Sequence, residues 1–348
     1  MNNKIKAAVA GAVLASASVA NAGITWDAGE WTVDMNGNVN AFAIINDSTD
    51  STQAAGGLAN TKSNDDQAAS INTGLLPSWL GFTATTRQND LDTSVTISFQ
   101  PGAGNTRALG GGNSTNAATE NRQAFLTFGD KSWGSVKLGK DLGIFGSTAI
   151  LNDMTLLGVG ATGGTVGNGV GNGTGAGTTT TLGGIGTGYL YADWKGQIAY
   201  TTPNMNGLSA TLGITQPWNS GGSSTGTTDN FAYEAQVSYS WTGDFAGKVW
   251  GGAFFQDVTG LTAANLDEDA KSFEVGVSTS IMNIGLVGYA YSGEGVGTTG
   301  MMSDGFSDDG KARDSDGGYV QATYVIPMGT KLGVSYGVSY LDDNAVDS

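Results

Sequence analysis

The 348-residue chain has no cysteine and no histidine. Without thiols no disulfide staples the fold, and zinc or iron–sulfur sites built on thiolates are excluded. Without imidazole the commonest transition-metal ligand and the usual general base are missing as well. Prolines number only five, and beyond the first two dozen residues no apolar run approaches the eighteen or so that a membrane-spanning helix needs. If the chain crosses a membrane it does so as a closed barrel, the other fold that satisfies its backbone in lipid. Basic residues are scarce too, 15 against 31 acidic for a net charge of −16. A field of that sign argues against nucleic acid as a partner and for cations. No phosphate-cradling glycine loop running into Lys-Ser or Lys-Thr is present.

What is there begins with an address. Lys4 and Lys6 precede an Ala/Val/Leu run that ends at Val19-Ala20-Asn21-Ala22. A basic start, a short apolar segment and a small-residue end predict a secretory signal over residues 1–22, cleaved after Ala22. The run is too short for a membrane anchor. Its removal leaves a mature chain, 23–348, with 31 acidic and 13 basic residues, a net charge of −18.

From Trp31 onward, stretches of alternating apolar and polar residues are joined by connections that are long and short in turn. The long ones, rich in Gly, Asn, Thr and Asp, cover 46–75, 101–121, 143–195, 217–230, 257–271 and 293–318. The short ones are tight turns such as Asn89-Asp90, Thr242-Gly243-Asp244 and Met328-Gly329-Thr330. That rhythm is expected of an up-and-down barrel with loops on one side of a membrane and turns on the other. Thirteen strands are predicted. In one, Phe231, Tyr233, Val237, Tyr239 and Trp241 oppose Glu234, Gln236, Ser238 and Ser240; in another, Phe273, Val275 and Val277 oppose Ser272, Glu274 and Ser278. The polar face is small and hydrophilic, as a water-filled lumen requires. Aromatic residues near strand ends (Trp31, Phe231, Trp241, Tyr340) suit interfacial girdles. Thirteen is an odd number where bacterial single-chain barrels have even ones. Two accounts are open: a C-terminally incomplete sequence lacking about three of sixteen strands, or one weak strand left out of the count.

The connection 143–195 differs from the rest. Ile150, Leu151, Met154 and Leu157 fall on one helical face, with Ser147 placed to cap the turn. A short apolar helix needs a wall to bury against, and the lumen offers it, so this loop is predicted to fold inward.

Three segments then carry a resemblance: Arg122-Gln123-Ala124-Phe125, Trp133-Gly134-Ser135-Val136-Lys137-Leu138-Gly139-Lys140, and Asn152-Asp153-Met154. With the hairpin Ile198-Ala199-Tyr200-Thr201-Thr202-Pro203-Asn204-Met205-Asn206-Gly207, their order and spacing resemble the Gram-negative general porins, trimeric sixteen-stranded diffusion channels of the outer membrane. The resemblance implies an all-β transmembrane antiparallel barrel whose third loop enters the lumen. It implies passive diffusion of ions and small hydrophilic solutes with no cofactor and no reaction, in a homotrimer amid outer-membrane lipid and lipopolysaccharide. It also implies a constriction where loop carboxylates face wall bases. Arg122 matches the wall arginine, Asp153 a loop acid, and Lys140 the position of an Arg after Gly; Lys137 and Asp141 complete the candidate pore-constriction set. The family's second loop acid is replaced near Leu156-Leu157 and Trp79 stands at another wall-arginine position, so the transverse field is expected to be weaker. Two simpler roles stay open: Arg122 pairing with Glu120, and Asp153 capping the loop.

Other constellations weigh less. Acids crowd 304–316 and 267–269, and Asp314-Ser315-Asp316-Gly317 starts like a calcium loop without the Glu an EF-hand requires. Solvated loop charge is the expected reading, with divalent bridging to lipopolysaccharide as its rival. Against a diffusion channel stand a barrel enzyme, disfavoured by the lack of His, a plugged structural or adhesive barrel, and a substrate-specific porin with Tyr189, Tyr191 and Trp194 as an aromatic track for a sugar or organic acid. The acidic loops and the absence of bases from 141–194 lead to an expected cation preference.

Overall fold

The computed structural model describes residues 23–47, 67–72, 74, 76–101, 119–156, 183–218, 229–261, 266–300, 302, 305–307 and 309–342. Among these residues sixteen strands and one short helix follow in chain order. They are β1 (Ile24–Ala28), β2 (Trp31–Asn38), β3 (Phe42–Asp47), β4 (Gln67–Asn72), β5 (Trp79–Gln88), β6 (Leu91–Pro101), β7 (Thr119–Asp130), β8 (Gly134–Leu142), α1 (Ser147–Asn152), β9 (Trp194–Thr201), β10 (Leu208–Thr215), β11 (Ala232–Trp241), β12 (Phe245–Leu261), β13 (Leu266–Ile281), β14 (Ile284–Glu294), β15 (Asp314–Val325) and β16 (Lys331–Leu341). Fourteen of them form one antiparallel sheet in the order β1-β2-β5-β6 and then consecutively to β16. β3 and β4 form a separate hairpin.

All thirteen strands expected from the sequence are present, and β1 makes a fourteenth. It escaped the periodicity because it is five residues long and turns back at once through Gly29 (φ 66) onto β2, pairing Ile24↔Met35 and Ala28↔Trp31. Among the described residues β1 and β16 do not pair with each other, so the sheet is an unclosed barrel wall. The fifth long connection is corrected by the structure. β12 and β13 are 17 and 16 residues long and take up most of 257–271.

The turns follow from local chemistry. Asn89 and Asp90 both adopt positive φ (49° and 63°) between Gln88 and Leu91, a two-residue connection whose twist suits the strands it joins. Alternation then sorts every strand into two faces. On the outer one Tyr336 is 69 % and Phe273 63 % exposed, while across the sheet Tyr319 is 5 % and Glu274 5 % exposed. The buried face is the one that carries α1, so it is the inner face. No helix among the described residues is long and apolar enough to cross a membrane; the strands present that apolar band instead.

Candidate functional site

α1 lies against the inner face, as the apolar helix in the third loop required. Its start is not capped by Ser147. The N-cap is Gly146 in the left-handed conformation, and Ser147 Oγ donates back to the Ile144 carbonyl at 2.7 Å. The orphan amides at the helix start are met by carboxylates of the wall. Ile144 and Phe145 N–H donate to Glu234 Oε2 at 2.7 and 2.9 Å, and Gly146 N–H to Glu274 Oε2 at 3.2 Å. Negative charge is favoured there, where the helix presents unpaired donors.

The rest of the loop is fixed as firmly. Thr148 donates to Gln236, Tyr319 donates to the Ala149 carbonyl, and Gln321 takes the Met154 amide at 2.8 Å while giving its own N–H to the Asn152 carbonyl. Beneath these bonds runs an aromatic layer. Phe145 meets Phe254 at 6.1 Å, Trp218 stacks on Phe254 at 4.6 Å, and Tyr189, Tyr289 and Tyr319 sit ring against ring. Such pairs add to the burial of their area. Glu234 also binds Lys195 in an ion pair, and accepts from Thr215 at 2.9 Å. The Lys195 ammonium lies 4.1 Å from the Trp218 ring centre, which offsets part of its desolvation.

Each candidate constriction residue has a definite place. Arg122 is the extra residue of a β-bulge between the pairs Ser98↔Gln123 and Phe99↔Asn121, the device that re-aims a side chain at a barrel rim. It is buried, its Nε bonds Glu120 at 3.1 Å, and its guanidinium lies 5.7 Å from the Trp194 ring centre. Asp153 is buried in the loop itself. Its Oδ1 takes the Thr155 amide and hydroxyl, and its Oδ2 takes the Tyr189 hydroxyl at 2.7 Å and the Gly184 amide at 2.8 Å. Burial first, then the Asp153 carboxylate, holds the Tyr189 phenol well above its ordinary value, so it stays a donor. Among the described residues no ion pair joins Arg122 to Asp153. The simpler roles, a pairing with Glu120 and a tie within the loop, are the ones the structure shows.

Lys137 and Asp141 face inward together, bonded to one another, with Gln123 donating to Asp141 at 3.1 Å. Lys140 is a correction. It pairs with Ala124 and Gly196, and alternation puts it with Val136 and Leu138 on the outer face, opposite Lys137 and Asp141. A constriction residue cannot sit there. The proposed aromatic track is not open to solutes either, since Tyr189 and Tyr191 are 1 % and 2 % exposed within the loop–wall layer. Leu157 lies outside the described residues. Of the acids around 304–316, Asp304 and Asp308 do as well, while Asp309 accepts from Ser307 and pairs with Lys311 at 3.4 Å. The sixth loop also folds inward. Tyr191 donates its amide to the Thr299 carbonyl at 2.8 Å, and Met302 is buried beside Gln256.

The site was missed where it mattered most. Glu234, Glu274, Gln236 and Gln321 stand in the polar alternation of their strands, but nothing in that alternation separates a wetted polar residue from one that anchors a loop. The signal available was the contrast between two glutamates and the Ser, Thr and Gly around them.

A Gram-negative porin family model matches residues 7–348. The chain belongs to the Gram-negative porins. Among solved structures, this porin is similar to the outer-membrane channel DcaP of Acinetobacter baumannii, with a TM-score of 0.64 at 16 % identity over 92 % of this chain and 82 % of that one. It is also similar to an anion-selective porin from Comamonas acidovorans, with a TM-score of 0.58 at 17 % identity over 90 % of this chain and 80 % of that one. At such identities the likeness is one of fold. No curated protein sequence matches the chain.

Proposed function

We propose that this porin is a water-filled outer-membrane channel for ions and small hydrophilic solutes, with a preference for cations. The observation that carries the reading is the part of the wall that the described segments of the loops leave uncovered. Along β2 and β5–β7 the inner face includes Thr32, Asp34, Asn36, Asn38, Thr83, Thr85, Thr96 and Gln123, all partly exposed, beside buried Ser94, Ser98 and Gln100 and the larger Trp79 and Phe125. Small polar side chains with open space before them line a passage rather than a packed core, which disfavours a plugged barrel.

The sign of the preference follows from which inner charges remain unpaired. Lys137 is taken by Asp141 and Lys195 by Glu234. Among the described residues Asp27 and Asp34 have only neutral hydrogen-bond partners, Thr32 and Asn36, and are set against the inward Lys248, while the whole chain carries −16. Confinement between low-dielectric walls makes such uncompensated charge act strongly on a passing ion. The Comamonas acidovorans porin is anion-selective on a similar fold, so selectivity resides in the charges and not in the architecture. Assembly as a homotrimer, contact with lipopolysaccharide and export after signal removal complete the proposal.

Planar-bilayer recording of the purified protein tests it. Stepwise conductance with a reversal potential on the cation side, steeper at low salt, is expected. Absence of steps overturns the channel, and a potential on the chloride side overturns the preference alone.

A further inference from the structure

We infer that removal of the leader creates the contact that fastens the first strand: the new α-ammonium of Gly23 pairs with the carboxylate of Asp34. The inference rests on reading residues 1–22 as a cleaved secretory signal. Hydrolysis of the Ala22–Gly23 peptide bond by a leader peptidase adds one water, leaving a carboxylate on Ala22 and a protonated amine on Gly23.

The geometry comes from the β1–β2 ladder. Thr25 pairs with Asp34 and Ile24 with Met35. Alternation then puts Gly23, Thr25 and Asp34 on the same inner face. A Cβ at Gly23 would lie 2.2 Å from Asp34 Oδ2, 2.8 Å from its Cγ and 2.9 Å from Oδ1. The carboxylate therefore fills the space that any side chain at position 23 would take, and only glycine fits without moving it. The Gly23 nitrogen is two bonds from that Cβ position, so it lies within about 5 Å of Oδ2. Of the two carboxylate oxygens, Oδ1 takes the Asn36 side-chain amide at 2.8 Å. Among the described residues Oδ2 takes no hydrogen bond. An uncleaved chain offers this oxygen one neutral amide; a cleaved one offers three N–H donors and a full charge, the stronger kind of bond.

The strand in question has little else to hold it. β1 has five residues, all with exposed side chains, and among the described residues it pairs with β2 alone. Short, exposed edge segments are the first to fray. An ion pair at the first residue closes the open end of that ladder, and it exists only in processed protein.

The test is amine acylation of the mature, membrane-extracted porin at neutral pH, read by mass spectrometry, with the exposed Lys131 amine as internal reference. Intact mass first establishes whether the chain begins at Gly23. The Gly23 amine is expected to react about tenfold more slowly than in Asp34→Asn, the effect of holding the ammonium by about one pH unit. Gly23→Ala, which displaces the carboxylate, is expected to react like Asp34→Asn and carries the readout if that variant does not assemble. A chain beginning elsewhere overturns both the leader reading and the pair. A chain beginning at Gly23 with equal rates in wild type and both variants overturns the pair alone.

Discussion

Two stretches of one barrel wall, built from the same alternating strands, have opposite fates on their inner faces. Along β1–β7 that face is mostly small and polar, with Thr32, Asp34, Asn36, Thr83 and Thr96 partly exposed beside buried Ser94, Ser98 and Gln100. Along β9–β15 it carries Lys195, Glu234, Trp250, Phe254, Glu274 and Tyr319, all buried. The difference is the third loop. Where it docks, large side chains and carboxylates have partners; where it does not, buried charges would go uncompensated and most inner side chains are small and polar. Loop docking thus divides the wall into a covered side and an open side, and variants on the two sides should fail in different ways.

The largest effect is expected at the charge that ties loop to wall. Glu234→Leu leaves the Lys195 ammonium buried without its counter-ion and strips the Ile144 and Phe145 amides of their acceptor. Breaking a buried pair costs about 3–5 kcal/mol, seen as a lower denaturant midpoint and as fluctuating single-channel current. Adding Lys195→Met should recover much of the stability without quieting the current, because the amides stay unpaired. Full recovery of both would mean that the carboxylate serves only the lysine.

Next comes Asp153. If it is the tie the structure shows, Asp153→Asn loses charge-assisted bonds to Tyr189 and Gly184, worth about 1–3 kcal/mol locally. Amide hydrogen exchange at Gly184 and Thr155 should then accelerate about tenfold or more. Unchanged exchange with a marked drop in cation preference would return Asp153 to the constriction that the family resemblance implied.

How much of this was readable beforehand divides along the same line. The open side is local physics: period-2 alternation, the Asn89-Asp90 turn and the small polar residues are visible in any ten-residue window. The inward loop was visible as well, since Ile150, Leu151 and Met154 demand burial. Its anchors were not, because Glu234 lies 90 residues from Ile144 and Gln321 167 from Met154. No spacing rule reaches that far. Lys140 is another kind of error. The alternating Val136 and Leu138 already placed it outward and Lys137 with Asp141 inward, but resemblance at one position outweighed the strand's own period. Arg122 was beyond reach for a third reason, since a bulge suspends alternation at the residue in question.

A matched pair of glycines sharpens the contrast in packing. A Cβ at Gly276, on the covered side, would lie 2.1 Å from the Trp250 ring; at Gly81, on the open side, it meets Asn36 Oδ1 at 3.2 Å and nothing else nearer than 3.8 Å. Gly276→Ala should therefore cost about 1–3 kcal/mol as the indole is pushed off its seat, with a change in tryptophan fluorescence. Gly81→Ala should fall within about 0.5 kcal/mol. Equal costs would mean that both faces are packed alike.

The smallest effect on stability should accompany the clearest effect on function. Among the described residues Asp27 on β1 and Lys248 on β12 face inward without an ion pair, Asp27 bonded only to the Thr32 hydroxyl and Lys248 flanked across the ladders by Ser240 and Ser278. Removing an uncompensated inner charge changes the potential along the pore but breaks no buried bond, so Asp27→Asn and Lys248→Gln should each leave stability within about 0.5 kcal/mol. Their reversal potentials should move in opposite directions. Asp27→Asn lowers cation preference by removing an attractive charge, and Lys248→Gln raises it by removing a repulsive one. Both shifts should shrink as added salt shortens the screening length below the width of the passage. If ions instead followed the covered wall, where Lys195 is paired and Lys248 is not, Lys248→Gln would move the potential and Asp27→Asn would leave it in place. That asymmetry, measured at low salt, locates the ion path on one side of the barrel or the other.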